Sequence, residues 1–234
     1  MKYVFIILIS ITICKPCRSQ NKTHSFYQLY QLDSIAHSNS IGRYFGELYF
    51  EFLKLVEKKL SSADTVTMRL VRNFEIVFAR FFIDACMAYK DHQQISLPAW
   101  RNYFIDTTLQ PIQYELLGAN AHLNGGLAEA IKGSYTPEEW KLVKKKYVIF
   151  NSCLNKTYRL VCKEAIQSND RVHLLNNITL GLDKLLGHYY LYKWRKRQMR
   201  LTEYSFVNSP EYQKLLDKIN RKKNKIDRLV TRSL

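Results

Sequence analysis

The chain has 234 residues, with 36 Lys and Arg against 20 Asp and Glu and a formal net charge of +16. Hydrophobic residues make up 47% and charged residues 24%, which excludes global disorder, and only 8 Gly and 5 Pro exclude collagen-like and loop-rich β architectures. No P-loop, dinucleotide-binding glycine motif, HExxH or nucleophile-elbow sequence occurs, so no common enzyme class is recognisable from a motif.

The first 19 residues have the order of a secretory signal peptide. Lys2 precedes an apolar stretch, Tyr3–Cys14, and the small residue Ser19 stands before the predicted cleavage point. The apolar stretch is shorter than the roughly 20 residues that span a bilayer. We therefore expect a secreted or periplasmic protein that begins at Gln20 and has no transmembrane span. Lipid anchoring, or tethering through an uncleaved N-terminus, stays open.

Beyond this segment, apolar residues recur with a helical period almost throughout the chain. Asp64 is placed to cap a long aromatic helix, and Pro98 suits the first turn of a later one. The predicted helices are Gly42–Leu60, Thr65–Tyr89, one opened by Pro98, Pro111–Leu127, Glu138–Phe150, Lys156–Ile166 and Arg171–Tyr204. Because no alternating strand pattern occurs, we predict an all-α fold: a single irregular or orthogonal bundle of about seven to nine helices over residues 20–205.

The C-terminal residues 206–234 are predicted to form a basic amphipathic helix. From Lys193 to Leu234 there are 13 Lys and Arg and four acidic residues, yet an apolar stripe is kept. The stripe indicates packing on the bundle, with the charges in solvent. The alternative is a surface that binds anionic lipid headgroups or polysaccharide. Nucleic acid is an unlikely partner because of the export signal and the lack of a binding module.

Three amides lie on one face of the predicted helix Pro111–Leu127. Gln113, Asn120 and Asn124 share this face, which leucines border. An unpaired buried amide costs about 1–3 kcal/mol, so the pattern predicts a hydrogen-bonded polar layer.

His122 points away from these amides, and its neighbours one turn away on each side are Gly118, Ala119, Gly125 and Gly126. Such small neighbours leave space around the imidazole. Either another helix fills it, with His122 hydrogen-bonded to a partner, or a ligand does. In both cases we expect His122 to be mostly buried and to contact the helix Thr65–Tyr89.

Few residues are available as partners for His122 in a site. Asp84 forms an i,i+4 pair with Arg80, and Glu75 lies on roughly the same side of that helix. Glu115 and His188 are further candidates. A metal site needs three or four converging ligands, and no spacing supplies two from one helix, so we predict none. No cofactor is indicated.

The segment Leu116–Asn124 resembles the core motif of an uncharacterised, mostly bacterial helical family, LLGxNAHIN-x-DL. Phe78–Ala85, Pro98–Arg101 and Trp194-Arg195 resemble further segments of that family, whereas Gly126 stands where the family usually has Asp. The resemblance implies an all-helical domain and points to Asn120, His122 and Asn124 as candidate site residues. It implies no reaction.

Three functions are compatible with these observations. The first is an exported binding or envelope-associated domain with a polar Asn/His core. The second is a hydrolase-like enzyme in which His122 acts with Asp84 as an acid/base pair or a metal site. The third is a carrier of apolar ligands, since the Phe- and Tyr-rich helices could line a cavity.

Overall fold

The computed structural model describes residues 20–147, 152–159, 163 and 182–233, and the side chains of 27–147, 152–159, 163 and 189–232. Within these ranges the chain forms nine α-helices and no strand. The predicted all-α class and helix number are therefore confirmed.

We number the α-helices in chain order. They are α1 Gln20–Ala36, α2 Gly42–Leu60, α3 Thr65–Lys90, α4 Pro111–Asn120, α5 Leu127–Ser134, α6 Pro137–Lys144, α7 at residues 152–159, α8 Leu182–Phe206 and α9 Glu211–Ser233. Two 3₁₀ segments, Pro98–Phe104 and Lys145–Tyr147, and a π-helical segment, Ala121–Gly126, complete the helical elements.

Local signals in the sequence account for several helix starts. The Asp64 carboxylate accepts a hydrogen bond from the Thr67 backbone N–H at 2.8 Å and so caps α3, as predicted. At the start of α6, Thr136 and Glu139 form a capping box. These caps satisfy backbone groups that the first helical turn leaves unpaired.

Aromatic side chains fill the centre of the bundle. Helix α1 packs on α2 and α3, α3 packs on α5, and α5 packs on α8. The core aromatics include Phe45, Phe74, Phe78, Phe82, Trp100, Tyr103 and Tyr114. Burial of such large rings removes a large apolar surface from water and so stabilises the fold.

The segment around His122 departs from the predicted continuous α-helix. Helix α4 ends at Asn120, and Ala121–Gly126 adopts π-helical geometry before α5 begins. A Cβ on Gly118 would lie 2.3 Å from the Phe45 ring, and one on Gly125 would lie 2.2 Å from the Ala99 Cβ. Close approach of neighbouring elements therefore requires these two glycines.

The C-terminal helix packs into the bundle. Helix α9 contacts α4, α8 and the π-helical segment, and Ile219 packs with Ala128 and Leu201. Its apolar stripe thus faces the bundle, as the pattern indicated. None of the helices in the described ranges is long and apolar enough to cross a membrane.

Candidate functional site

The predicted amide layer exists, and its partners come from the C-terminal helix. The Asn120 side-chain N–H group donates to the Asp227 carboxylate at 2.7 Å and to the Lys223 carbonyl at 3.0 Å. Asn124 donates to the Asn120 side-chain oxygen at 2.7 Å, and Gln113 donates to the Val230 carbonyl at 2.7 Å. Gln113 and Asn120 therefore hold the motif helix to α9, and Asn124 orients the Asn120 amide.

A buried ion pair completes this layer. Lys223 donates to Asp227 at 2.6 Å, and the two side chains are only 5% and 4% exposed. Asn102 donates to the same carboxylate at 2.6 Å. Asp227 is thus held by two amides and one ammonium group, and no polar side chain of the layer is orphaned. The arrangement is that of a structural clamp between α4, the 3₁₀ segment and α9.

His122 lies in an aromatic environment on the opposite side of the helix. Its ring stacks on Phe78 of α3 with 3.4 Å between centroids, and the Tyr49 ring lies edge-on at 4.4 Å. The side chain is 5% exposed, and this burial holds the pKa of the imidazole well below its usual value. The predicted burial and contact with the long aromatic helix are confirmed.

Neither ring nitrogen of His122 has a hydrogen-bond partner among the described residues. The interpretation as a packed, hydrogen-bonded histidine is therefore only half correct. The close helix packing is present, but the expected polar partner is not. A buried imidazole without a partner is rare enough to need an explanation.

A cavity of about 280 Å³ lies beside His122. Its wall is almost entirely apolar and is formed mainly by aromatic and aliphatic side chains of α2, α3, α4, α7, α8 and α9. It reaches the surface beside Leu116 and Tyr190, which are both exposed. The volume is near the lower end of the range for small-molecule sites.

Two more buried polar side chains lie on this wall, Tyr49 and Glu75. They interact with each other, but neither makes a hydrogen bond of good geometry within the described structure. Burial, reinforced by the charge of Glu57, raises the pKa of Glu75 to about 8, although Tyr49 and Arg195 oppose the shift. Burial and the neighbouring Glu75 raise the pKa of Tyr49 well above its usual value. At neutral pH the wall therefore presents a protonated carboxyl, a phenol and a neutral imidazole.

Arg195 adds a cation to the same wall. It is buried, donates to the Tyr147 carbonyl at 3.1 Å, and lies 5.6 Å from the centre of the Tyr147 ring. Burial lowers the pKa of this guanidinium, and the neighbouring Tyr147 and Glu75 oppose the shift. Trp194 also lines the cavity, so both members of the Trp-Arg pair noted in the sequence lie there.

The structure does not bring the other sequence candidates to His122. Asp84 and Arg80 are exposed on α3, and Asp84 makes no hydrogen bond to the imidazole. His188 falls on helix α8, but its side chain lies outside the described residues. Glu75 and Glu115, named as further partners, both line the cavity.

Sequence reasoning did not select Tyr49 or Arg195 as site residues. Tyr49 is one of many aromatic residues in an amphipathic helix, so its pattern is that of a core position. Arg195 carried a weak signal as part of the Trp-Arg pair. Across the described ranges, no three His, Cys, Asp or Glu side chains are grouped so that they could hold a metal ion.

These features define the protein as an all-helical domain with a largely apolar cavity whose wall includes a few buried polar side chains. The chain belongs to the family of unknown function DUF5995, whose family model matches residues 27–233. The resemblance to an uncharacterised helical family is thereby confirmed. No curated protein and no solved structure matches the chain.

Proposed function

We propose that this protein binds an apolar small molecule that carries a hydrogen-bonding group at its buried end. The observation that carries the proposal is the His122 imidazole, which has no hydrogen-bond partner among the described residues and lies on the wall of an apolar cavity. Tyr49 and Glu75 lie on the same wall, and within the described structure their polar atoms have only a weak interaction with each other. This agrees with the ligand-carrier function that the aromatic helices suggested.

The buried polar groups on the cavity wall favour a bound ligand energetically. Each buried polar group without a partner costs about 1–3 kcal/mol. A ligand that donates to the imidazole or accepts from the protonated carboxyl would remove part of that cost. Its apolar body would gain from leaving water against the ring-lined wall. Both contributions favour the bound state.

Binding of the neutral fluorophore N-phenyl-1-naphthylamine to the full chain tests the proposal. Ala119 lines the cavity, so Ala119→Trp should fill part of it and weaken binding by about tenfold, or about 1.4 kcal/mol. Ala88 is also a half-buried helical alanine but does not line the cavity, so Ala88→Trp is the matched control. Equal binding by both variants would refute the assignment of the site.

A hydrolase-like enzyme is the second candidate, and the polarity of the same wall supports it. The sequence paired His122 with Asp84, but Glu75 lines the cavity with His122 whereas Asp84 is exposed. A protonated carboxyl and a neutral imidazole suit general acid and base roles. Hydrolysis of p-nitrophenyl butyrate that is lost in both Glu75→Gln and His122→Gln, with probe binding kept, would support this function over simple binding.

Export and surface attachment form the last part of the proposal. The signal peptide at residues 1–19 lies outside the described structure, so cleavage near Ser19 stays a prediction from the sequence order. An intact mass that begins at Gln20 would support it, and one that retains Met1 would contradict it. The many exposed cations of α9 support contact with anionic lipid headgroups or polysaccharide.

A further inference from the structure

Four cations face one another across the groove between α8 and α9. Lys193 and Arg197 lie one turn apart on α8, and Lys218 and Lys222 lie one turn apart on α9. Slight desolvation, together with the positive charges of Arg197, Lys218 and Lys193, lowers the pKa of Lys222. The two helices pack on each other, and Ile219 of α9 packs with Leu201 of α8, about one turn from Lys222 and Arg197. The packing of the helices therefore brings the two pairs of cations together. We call these four residues the basic groove.

The basic groove has no acidic partner in the described part of the chain. None of its four residues takes part in an ion pair there. The acids of the same hairpin are engaged elsewhere: Glu203 with Lys144, and Asp227 with Lys223. Like charges held together without a counter-charge favour binding of an anion.

The basic groove lies next to the open side of the cavity. On α9, Ile226 lines the cavity and lies one helical turn beyond Lys222. On α8, Tyr190 and Trp194 line the cavity and bracket Lys193. A molecule that enters the cavity between α8 and α9 therefore passes within about one helical turn of these cations.

Resting on the proposed ligand binding, we infer that the ligand is a single-chain anionic amphiphile. Its chain, which carries the hydrogen-bonding group at the end away from the headgroup, occupies the cavity, and its anionic headgroup binds in the basic groove. Tyr189 supplies a hydroxyl at the same place, since Lys193 donates to it at 2.9 Å. The headgroup stays at the surface because the cation on the cavity wall, Arg195, is already engaged with the Tyr147 carbonyl and ring. A carboxylate or a phosphate monoester satisfies the same requirement.

Displacement of N-phenyl-1-naphthylamine by dodecanoate and by 1-dodecanol tests the inference on the full chain. The two probes share an alkyl chain and differ in headgroup charge. We expect dodecanoate to bind about fivefold more tightly than dodecanol at low salt. Because exposed charges are screened, this preference should shrink at high salt.

The double variant R197Q/K222Q should remove the preference for dodecanoate and leave dodecanol binding unchanged. R221Q/R228Q is the matched control, because it removes two exposed cations of α9 outside the basic groove and should keep the preference. Dodecyl phosphate, used below the concentration at which it forms micelles, should displace the fluorophore as dodecanoate does.

Two results would overturn the inference. Equal binding of dodecanoate and dodecanol by the wild-type chain would show that headgroup charge is not recognised. Equal loss in R197Q/K222Q and R221Q/R228Q would show that only net charge matters. Failure of the neutral fluorophore and of both alkyl probes to bind is a distinct outcome, because it refutes the cavity as a ligand site as well.

Discussion

The amide layer and the cavity wall lie on opposite sides of the same helical segment, and they treat buried polar groups in opposite ways. In the layer, every amide and the Lys223–Asp227 pair has a hydrogen-bond partner. On the wall, His122 has none within the described ranges, and Tyr49 and Glu75 have only a weak interaction with each other. A fully satisfied network specifies packing, whereas an unsatisfied one next to a cavity is available to a ligand. The contrast distinguishes polar groups that hold helices together from polar groups that are not fully hydrogen-bonded in the fold.

Substitution of Asp227 is expected to have the largest effect on stability, because it removes the central acceptor of the amide layer. Asp227→Ala leaves the Lys223 ammonium buried without a counter-charge and removes a partner from Asn102 and Asn120. We expect a loss of about 3–5 kcal/mol in the free energy of unfolding, measured by urea denaturation. The control Asp217→Ala removes an exposed carboxylate of the same helix and should change stability by less than about 0.5 kcal/mol. Similar losses in both variants would contradict the clamp.

Glu75 provides a pH-dependent test of the wall. Burial raises the pKa of Glu75 from 4.5 to about 8 in the folded protein. Between pH 4.5 and pH 8 the folded protein therefore keeps a proton on Glu75 that the unfolded chain releases. Its contribution to stability is therefore full below pH 4.5 and falls by about 1.4 kcal/mol per unit as pH rises toward 8. Glu75→Gln should lack this fall and be more stable than the wild type at pH 8. Parallel stability profiles from pH 5 to 8 for the two proteins would disprove the shift.

His122 should give a smaller effect with the opposite direction in pH. Its lowered pKa means that the unfolded chain gains a proton below pH 6.5 while the folded protein does not, so stability is lost as pH falls. His122→Phe keeps the ring stack on Phe78 and should cost at most about 1 kcal/mol at pH 7, and it should be more stable than the wild type near pH 5.

The ranking of two His122 variants sharpens this test. With no polar partner, His122→Phe should be better tolerated in thermal melts than His122→Gln, which buries an amide against rings. A higher melting temperature for His122→Gln than for His122→Phe would indicate that the imidazole is hydrogen-bonded in the folded protein. The cavity wall would then be a satisfied polar region like the amide layer.

The smallest effect is expected at Asp84, which lies outside both regions. Asp84→Asn changes an exposed carboxylate of α3 and should alter stability by less than about 0.5 kcal/mol and leave fluorophore binding unchanged. Glu75→Gln in the same assay should change binding, since Glu75 lines the cavity. A binding defect in the Asp84 variant alone would instead support Asp84 as the acidic partner of His122, as the sequence analysis first suggested.

Local rules explain what could be predicted from the sequence. The helical period predicted the class of fold, and Asp64 marked the start of α3. The spacing of Gln113, Asn120 and Asn124 predicted the polar layer. Each of these signals is contained within a few helical turns, so the chain alone carries it.

Long-range contacts explain what was missed. The π-helical segment replaces a predicted α-helix where glycines allow close approach of Phe45 and Ala99. Tyr49, Glu75, His122 and Arg195 meet at one cavity although they lie on α2, α3, the π-helical segment and α8. No spacing rule connects residues this far apart in the chain.

The sequence by itself therefore determined the helices, their caps, the amide-bearing face and the burial of His122, because hydrophobic period and capping act over neighbouring turns. The tertiary structure alone decided that Asp227 and Lys223 satisfy the amides and that Glu75, rather than Asp84, lies at the cavity with His122. Which side chains converge depends on how the helices pack. On the same helix, packing places Glu75 at the cavity and leaves Asp84, nine positions later, in solvent.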